Sequence, residues 1–433
     1  MGGPTTSAQT GRGLVLPTGA DAATPPTALL PAFGHYLSLT AGAFGELGHA
    51  LPATLRPAHA AAVEALRDAL RIDRRGALAA LASPSVGSAL HCVPLAASLP
   101  SMRTRIDEAA ARATPALLFE LAARGLLSRE LEWPHPVAKL TSVSLGATLR
   151  LALPVPLWFG PRTVRTGTTR LSLDAAGLAA ASASAGDGAL VVEPSHLPVG
   201  GLTRLALVDQ NPIASFEAHP DKAGNALDLG GRSPGEWQER LGEALALVTT
   251  HLPELRGELA LLLHELVPVG YDAERHLSAS YREAIGTVYL TLHPSPLTLA
   301  EALVHEFQHS KLNLASYGER FLDNGFSPLF PSPVRPDPRP LWGILLAVHA
   351  FLPVARLLRR LRDASHPLAA TASFERRLVE LDGKNREGLA MLRAHGELTA
   401  AGRELLEELE GLEAAHAAER RPDAALPVAT HEA

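Results

Sequence analysis

The spacing of apolar residues changes twice along the chain. From residue 29 to about 131, Leu and Ala recur every three or four positions, which predicts helices. From about 137 to 217, β-formers alternate between Gly, Pro and Asp turns, which predicts strands. From 233 onward the helical spacing returns. The predicted fold class is therefore α+β, with mostly helical N-terminal and C-terminal parts and a central β-rich segment.

The individual elements follow from the same spacing. The N-terminal helices are predicted over 58–70, 75–82 and 106–123. The strands are predicted over 140–153, 163–173, 188–193, 202–208 and 213–217. The C-terminal helices are predicted over 234–250, 254–265, 341–362, 374–394 and 399–419, with Pro353 expected to kink or split the third of these.

The stretch HEFQH at 305–309 carries the clearest chemistry. Two imidazoles four residues apart on a helix lie on one face and can hold one metal ion, so His305 and His309 are candidate ligands. Glu306 stands between them, where it can act as a base or orient a metal-bound water. Thr298 and Glu301 predict a capping box at the start of this helix. A strand predicted over 286–292 precedes it, so the metal site is expected on a helix that follows a strand.

The residues alone leave the third ligand open. The extended zinc-peptidase pattern HExxHxxGxxH is excluded, because Leu312 and Ala315 stand where it needs Gly and His. Glu319 and Asp323 follow the motif closely. His349 lies on an otherwise apolar predicted helix, where a buried imidazole needs a partner.

The chain resembles the HExxH-type peptide-modifying proteins of bacterial natural-product clusters, a family of iron(II)- and 2-oxoglutarate-dependent peptide β-hydroxylases. The resemblance rests on ALVHEFQHSKL at 302–312, on DPRPL at 337–341 followed by VHAF at 348–351, and on SPSVG at 83–87. It covers about 30–415, and 296–355 is its specific part.

The resemblance implies an oxygenase that uses Fe(II), 2-oxoglutarate as cosubstrate and O2. His349 is the expected third ligand beside His305 and His309, with Asp323 or Asp337 as the carboxylate alternatives. Arg339 is the expected clamp for the distal carboxylate of 2-oxoglutarate, and Arg335 is the second candidate, because guanidinium pairs bidentately with carboxylate. The implied substrate is a ribosomally made precursor peptide, hydroxylated at a side-chain β-carbon.

Two other functions stay open. A zinc metallopeptidase would use the two histidines with an acidic third ligand and Glu306 as the base. A non-catalytic module would only bind a peptide, and the β-rich segment can offer it a sheet edge. Iron content and dependence on 2-oxoglutarate distinguish the hydroxylase from the peptidase.

The same patterns set expected domain boundaries. They are a flexible tail over 1–27, a helical region over 28–135, a β-rich segment over 136–232, a catalytic helical metal-binding domain over 233–419 and a flexible tail over 420–433. The apolar run 342–355 is short of the roughly 20 residues that span a bilayer, so a buried helix is expected there.

Composition and net charge narrow the expected partners and cellular location. A net charge of −6 gives no indication of a nucleic-acid partner, and no membrane partner is expected. A single cysteine, Cys92, excludes a framework of intrachain disulfides and favours a cytoplasmic location, as does the absence of a visible targeting signal. The sequence does not indicate an oligomeric state.

Overall fold

The computed structural model describes residues 13–17, 29–183, 190–214 and 225–419. Helix makes up 55% and strand 19%, with helices toward both ends and sheets between them, which confirms the α+β class. The helices are α1 (Leu29–Ala50), α2 (Arg56–Ile72), α3 (Arg74–Leu81), α4 (Pro84–Cys92), α5 (Arg103–Ala123), α6 (Ala175–Ala183), α7 (Pro234–His251), α8 (Arg256–Leu262), α9 (Pro296–Ala315), α10 (Leu341–Asp363), α11 (Ala372–His395) and α12 (Ala400–Ala418). The strands are β1 (Leu131–Ser142), β2 (Ala147–Gly160), β3 (Thr163–Thr166), β4 (Thr169–Ser172), β5 (Leu190–Pro194), β6 (His196–Val199), β7 (Thr203–Ala206), β8 (Glu265–Tyr271), β9 (Ser278–Ser280), β10 (Thr287–Leu292), β11 (Leu329–Phe330) and β12 (Arg339–Pro340).

The chain packs as two compact units, each built from segments that are distant in sequence. The motif unit takes the described parts of Met1–Phe33, Glu243–Leu261 and Ser295–Ala433. The sheet unit takes those of Gly34–Gly242 and Leu262–Pro294. The expected boundaries at 135/136 and 232/233 both fall inside the sheet unit. Sequence spacing predicts local elements, but it does not show that residues 262–294 pack with strands far earlier in the chain.

Within the described residues of the sheet unit, the strands form two five-stranded sheets. The first has the order β1-β2-β3-β4, and β5 also pairs with β2. The second has the order β6-β7-β8-β10-β9, in which β8 runs parallel to both β7 and β10. All six residues of β10 are buried, which agrees with its unbroken run of β-branched, aromatic and Leu side chains. The strand predicted before the motif helix is thereby confirmed.

In the motif unit, α10 packs against α9, α11 and α12. It is long and apolar enough to cross a membrane by length and composition, but 72% of its most apolar window is buried inside the protein. A core helix passes the same test, so the feature does not indicate a membrane span. Pro353 lies inside α10 and does not split it, since one helix runs from Leu341 to Asp363.

Several predicted elements differ in their bounds from the observed ones. The predicted strand 140–153 is a hairpin, because a turn at 143–146 separates β1 from β2, and the predicted strand 163–173 is the β3–β4 hairpin. The predicted helix 254–265 ends at Leu262, and β8 begins at Glu265. Of the predicted strand 213–217, the first two residues lie in a turn and the rest lie outside the described residues.

Of the two expected tails, the structure describes only residues 13–17. Residues 13–15 are buried and hydrogen-bonded within the motif unit, so these three do not form a flexible tail. The rest of 1–27 and all of 420–433 lie outside the described residues.

Candidate metal centre

Helix α9 carries the HEFQH motif, and local sequence fixes where this helix begins. Ser295 is the N-cap, and its side chain accepts a hydrogen bond from the backbone N–H of Thr298 at 3.2 Å. Pro296 takes a position in the first turn, where the N–H that it lacks would have no helical partner. The predicted capping box at Thr298 was wrong because the helix begins earlier. Glu301 instead accepts a hydrogen bond from Arg377.

His305 and His309 lie on one face of α9, as their spacing predicts. Their ring centroids are 4.3 Å apart, and the ring planes are inclined by 77°. Both side chains are partly buried, and the Nδ1 atom of each ring is buried. The helix alone therefore brings the two predicted metal ligands together.

His309 has the chemistry of a metal ligand. Burial lowers its pKa, against a smaller raising effect of the Glu306 carboxylate, so the imidazole is neutral near pH 7. The neutral ring is the form that binds metals. Its Nδ1 atom is buried and has no hydrogen-bond partner among the described residues, although buried polar atoms are usually satisfied. The pair thus fits a divalent cation that prefers imidazole.

Two further side chains adjoin the pair. Glu306 is 3% exposed and stands about 100° around the helix from His305, so it lies beside the ligand face rather than on it. The Phe351 ring from α10 packs against the His305 ring, with centroids 4.5 Å apart. This apolar contact restricts the orientation of one predicted ligand.

His349 does not join the pair in this structure. Its side chain is fully buried on α10, and its Nε2 lies 2.9 Å from the backbone oxygen of Leu14. Burial, helped by the nearby Lys311 ammonium, lowers the pKa of His349 to about 3. The ring is therefore neutral, and its Nε2–H donates to the Leu14 carbonyl. Since the donor atoms of His305, His309 and His349 are not gathered within 4.8 Å of one another, the expected three-histidine set is not assembled.

The partner of His349 belongs to a short N-terminal segment, residues 13–15, which side chains of the motif unit hold by its backbone. The Glu408 carboxylate accepts hydrogen bonds from the N–H groups of residues 13 and 15 at 3.0 and 3.1 Å. Gln308 donates to the carbonyl of residue 15 at 3.0 Å, and Lys311 donates to the carbonyls of residues 13 and 15 at 3.3 and 3.5 Å. Because Gln308 and Lys311 lie on α9, the N-terminal segment is tied directly to the motif helix.

Lys311 also forms a buried ion pair. Its Nζ lies 2.7 Å from Oε2 of Glu258, and the two side chains are 0% and 1% exposed. Burial raises the pKa of Glu258, and the Lys311 ammonium opposes that rise. The pair fixes the side of α9 that faces the interior of the motif unit.

The acidic alternatives for the third ligand have other partners. Asp323 is 47% exposed and pairs with Arg320 at 2.7 Å. Glu319 is exposed beyond the end of α9. Asp337 lies between two arginines, at 3.3 Å from Arg335 and 2.8 Å from Arg339. Neither the ion pair of Asp323 nor those of Asp337 involve the histidine pair.

The predicted cosubstrate clamp is likewise engaged elsewhere. Arg335 and Arg339 share Asp337 in the loop before α10, and their side chains are 33% and 31% exposed. Arg339 lies in β12, before the start of α10 at Leu341. In this arrangement the two guanidinium groups neutralise a loop carboxylate.

Sequence reasoning missed Arg377. This side chain from α11 lies 5.9 Å from the centre of the Phe351 ring, the same ring that packs on His305. It also pairs with Glu301, one turn before His305, at 3.0 Å, and with Glu380 at 3.3 Å. The only signal in the sequence was a carboxylate, Glu301, on the face of the helix that carries the histidines.

A second group of possible ligands lies elsewhere in the motif unit. Asp382, Glu413 and His416 each offer an atom within 4.8 Å of the others, and this is the single such trio among the described residues. However, Nη2 of Arg359 donates to both carboxylate oxygens of Asp382 at 2.8 and 2.7 Å. A buried guanidinium already neutralises that carboxylate, so the trio is better explained as part of a charge network than as a metal site.

No protein-family model matches the chain, and no curated protein shows significant sequence similarity to it.

Proposed function

We propose that the protein is an Fe(II)- and 2-oxoglutarate-dependent hydroxylase that acts on a β-carbon of a side chain in a ribosomally made precursor peptide. The observation that carries the proposal is the His305–His309 pair, with rings 4.3 Å apart on one face of α9, within the sequence context that resembles this hydroxylase family. We place the activity in the cytoplasm.

His305 and His309 would hold the iron. When bound, it would couple the oxidation of 2-oxoglutarate to succinate and CO2 with insertion of one oxygen atom of O2 into a C–H bond. Imidazole ligands suit iron, but they suit zinc equally well, so the ligand type alone does not choose the metal. The family resemblance makes that choice in the proposal.

The neighbouring side chains would support the pair in distinct ways. Phe351 restrains the His305 ring and excludes water from one side of it. Glu306 is a positioning residue beside the ligand face, because hydroxylation requires no general base. We propose Arg377, which shares the Phe351 contact with His305, as a candidate for the cosubstrate carboxylate in addition to the predicted Arg339 and Arg335.

The third ligand is resolved by substitution. If His349 only anchors residues 13–15, His349→Gln will bind iron with the stoichiometry and affinity of the wild type. If it ligates the metal after exchanging its Leu14 contact, His349→Gln will weaken iron binding about as much as His305→Ala does. Metal content after anaerobic loading and desalting distinguishes the two outcomes.

The function itself is tested by anaerobic reconstitution with Fe(II), followed by 2-oxoglutarate, O2 and a candidate precursor peptide. We expect succinate to rise with the peptide and the product to gain the mass of one oxygen atom. His305→Ala and His309→Ala should lose bound iron and activity, whereas the matched control His49→Ala, at an 85% exposed histidine, should keep both.

Two outcomes would overturn the proposal. Peptide cleavage with zinc, abolished by Glu306→Gln, would indicate a metallopeptidase in which that carboxylate is the base. Peptide binding without turnover under either metal would indicate a binding module.

A further inference from the structure

The sheet unit contains a half-open cavity that the proposed metal chemistry does not use. Its volume is about 510 Å³. Its lining comes mainly from helix α5, strand β1 and the loop after β7. All of its lining residues belong to the sheet unit, so the cavity is complete within that unit.

Charged side chains of both signs line the cavity. The cations are Arg105, Arg112 and Lys139, and the carboxylates are Glu108 and Asp209. Burial raises the pKa of the Asp209 carboxyl, and Arg105 is close enough to oppose that rise. Neither Arg112 nor Lys139 has a carboxylate within ion-pair distance among the described residues, so both remain open to an anionic ligand.

Arg112 and Lys139 are two of these cations, and both side chains are exposed. Partial burial lowers the pKa of Lys139, and the neighbouring Arg150 lowers it further. Glu193 opposes this effect, but both of its carboxylate oxygens accept hydrogen bonds from Arg150 at 3.0 Å. An anion beside Arg112 and Lys139 would be attracted to both, because an opposite charge within a few ångströms stabilises each of them.

The loop supplies a donor that lacks a partner. Gln210 lines the cavity, and its Nε2 is buried without a hydrogen-bond partner among the described residues. Buried amide groups are normally satisfied, and an unmade hydrogen bond costs about 1–3 kcal/mol. A ligand with carbonyl or carboxylate oxygens would satisfy it.

The shape of the cavity indicates an extended ligand. Eight of the nine residues from 133 to 141 line it, and Pro134 is the exception. Successive side chains of a strand point to opposite faces, so a lining that includes neighbouring residues indicates that the cavity follows the edge of the strand. This run spans about 26 Å at roughly 3.3 Å per residue. Strand β1 is also at the edge of its sheet in the described chain, since it pairs only with β2.

We propose that this cavity binds an extended peptide segment that carries carboxylate side chains. The carboxylates would lie at Arg112 and Lys139, and the peptide backbone would follow the edge of β1 toward Gln210. Pro134 and Pro136 remove two backbone donors from that edge, so side-chain charge rather than a long run of sheet hydrogen bonds would supply most of the affinity.

The inference that this segment belongs to the precursor peptide rests on the proposed function. The inference that the cavity binds an acidic peptide is independent of that function, because such binding involves no metal, cosubstrate or turnover. A failure of the hydroxylase assay would therefore leave the binding result intact, and the reverse also holds.

The test uses the full-length protein without added metal and a fluorescein-labelled peptide of alternating Glu and Gly, with fluorescence anisotropy as the readout. We expect saturable binding that weakens with salt, since the attraction is between exposed charges. The double variant Arg112→Ala/Lys139→Ala should bind about tenfold more weakly or worse, as expected for the loss of two charged contacts. Both side chains are exposed, so the variant should keep the thermal midpoint of the wild type.

Arg103→Ala is the matched control, because Arg103 is an exposed residue of the same helix that does not line the cavity. It should bind the peptide as the wild type does. Equal affinity of wild type and double variant, equal affinity for a Lys-Gly peptide, or displacement of the probe by glutarate at concentrations matched to the unlabelled peptide would each overturn the proposal. The last result would assign the cavity to a small dicarboxylate instead.

Discussion

At the scale of single residues, a substitution in the Lys311–Glu258 ion pair is expected to destabilise the motif helix most. Both side chains are essentially unexposed and 2.7 Å apart. Removing one member of a buried pair leaves an uncompensated charge, which costs about 3–5 kcal/mol. We therefore expect Lys311→Met to lower the free energy of unfolding by about that amount in urea denaturation at pH 7.

The double variant Lys311→Met/Glu258→Leu is the informative control for this prediction. It removes both charges, and replacing a buried pair with apolar groups is often close to neutral. It should recover most of the lost stability. If the double variant were as unstable as Lys311→Met, the loss would come from the contacts of Lys311 with residues 13 and 15, not from the stranded carboxylate.

Asp209 should make the stability of the protein depend on pH. Burial raises its pKa to about 6, above the ordinary value of 3.8, so between these values the folded state keeps a proton that the unfolded state has released. This contribution is fully present below pH 4 and is lost as the pH rises through 6. Asp209→Asn removes it, so the stability of the variant relative to wild type should rise by about 2–3 kcal/mol from pH 4 to pH 7 in urea unfolding. A difference that does not change with pH would contradict this assignment.

At the scale of elements, α10 and α11 approach each other at Gly388. A Cβ atom there would lie 2.4 Å from Cγ2 of Val348, a buried β-branched side chain with little freedom to move. Gly388→Ala should therefore destabilise the protein by about 1–3 kcal/mol. At Gly383 on the same helix, a Cβ atom would have no neighbour within 4 Å, so Gly383→Ala should stabilise by about 0.5–1 kcal/mol. Thermal denaturation of the two variants gives opposite shifts if the close approach decides the effect.

Elements with a strong local pattern could be predicted from the sequence, and elements set by distant partners could not. Strand β10 and helix α9 were predicted because their apolar periods are unambiguous and their ends carry recognisable signals. Strand β8 was not predicted, and only its first residue, Glu265, fell within a predicted helix. Its short apolar run suits either structure and is decided by pairing with β7 and β10. The two hairpins were merged into single strands for a similar reason, because strong β-formers flank each turn.

The residues of the candidate site also divide into those that local spacing places and those that distant contacts place. His305 and His309 are four residues apart, so a helix alone brings them together. His349 faces Leu14, 335 residues earlier, and Arg377 faces Glu301, 76 residues earlier. No spacing rule predicts such contacts, so the sequence indicates neither the Leu14 partner of His349 nor the position of Arg377.

At the scale of the whole molecule, residues 13–15 are held by the last described helix. Glu408 accepts hydrogen bonds from the amides of Gly13 and Val15, across nearly 400 residues of sequence. Charge-assisted hydrogen bonds of this kind contribute about 1.5–3 kcal/mol each. Glu408→Ala should release the segment, and hydrogen exchange at these two amides should accelerate by about tenfold or more.

Glu407→Ala is the matched control, since Glu407 is its exposed neighbour on the same helix. It should leave exchange at both amides unchanged. Release of the segment also removes the partner of the His349 Nε2 atom, so iron binding by Glu408→Ala tests the coupling between the N-terminus and the metal pair. Faster exchange with unchanged iron affinity would show that residues 13–15 stabilise the motif unit without tuning the metal. A change in both would show that His349, once freed, acts on the His305–His309 pair.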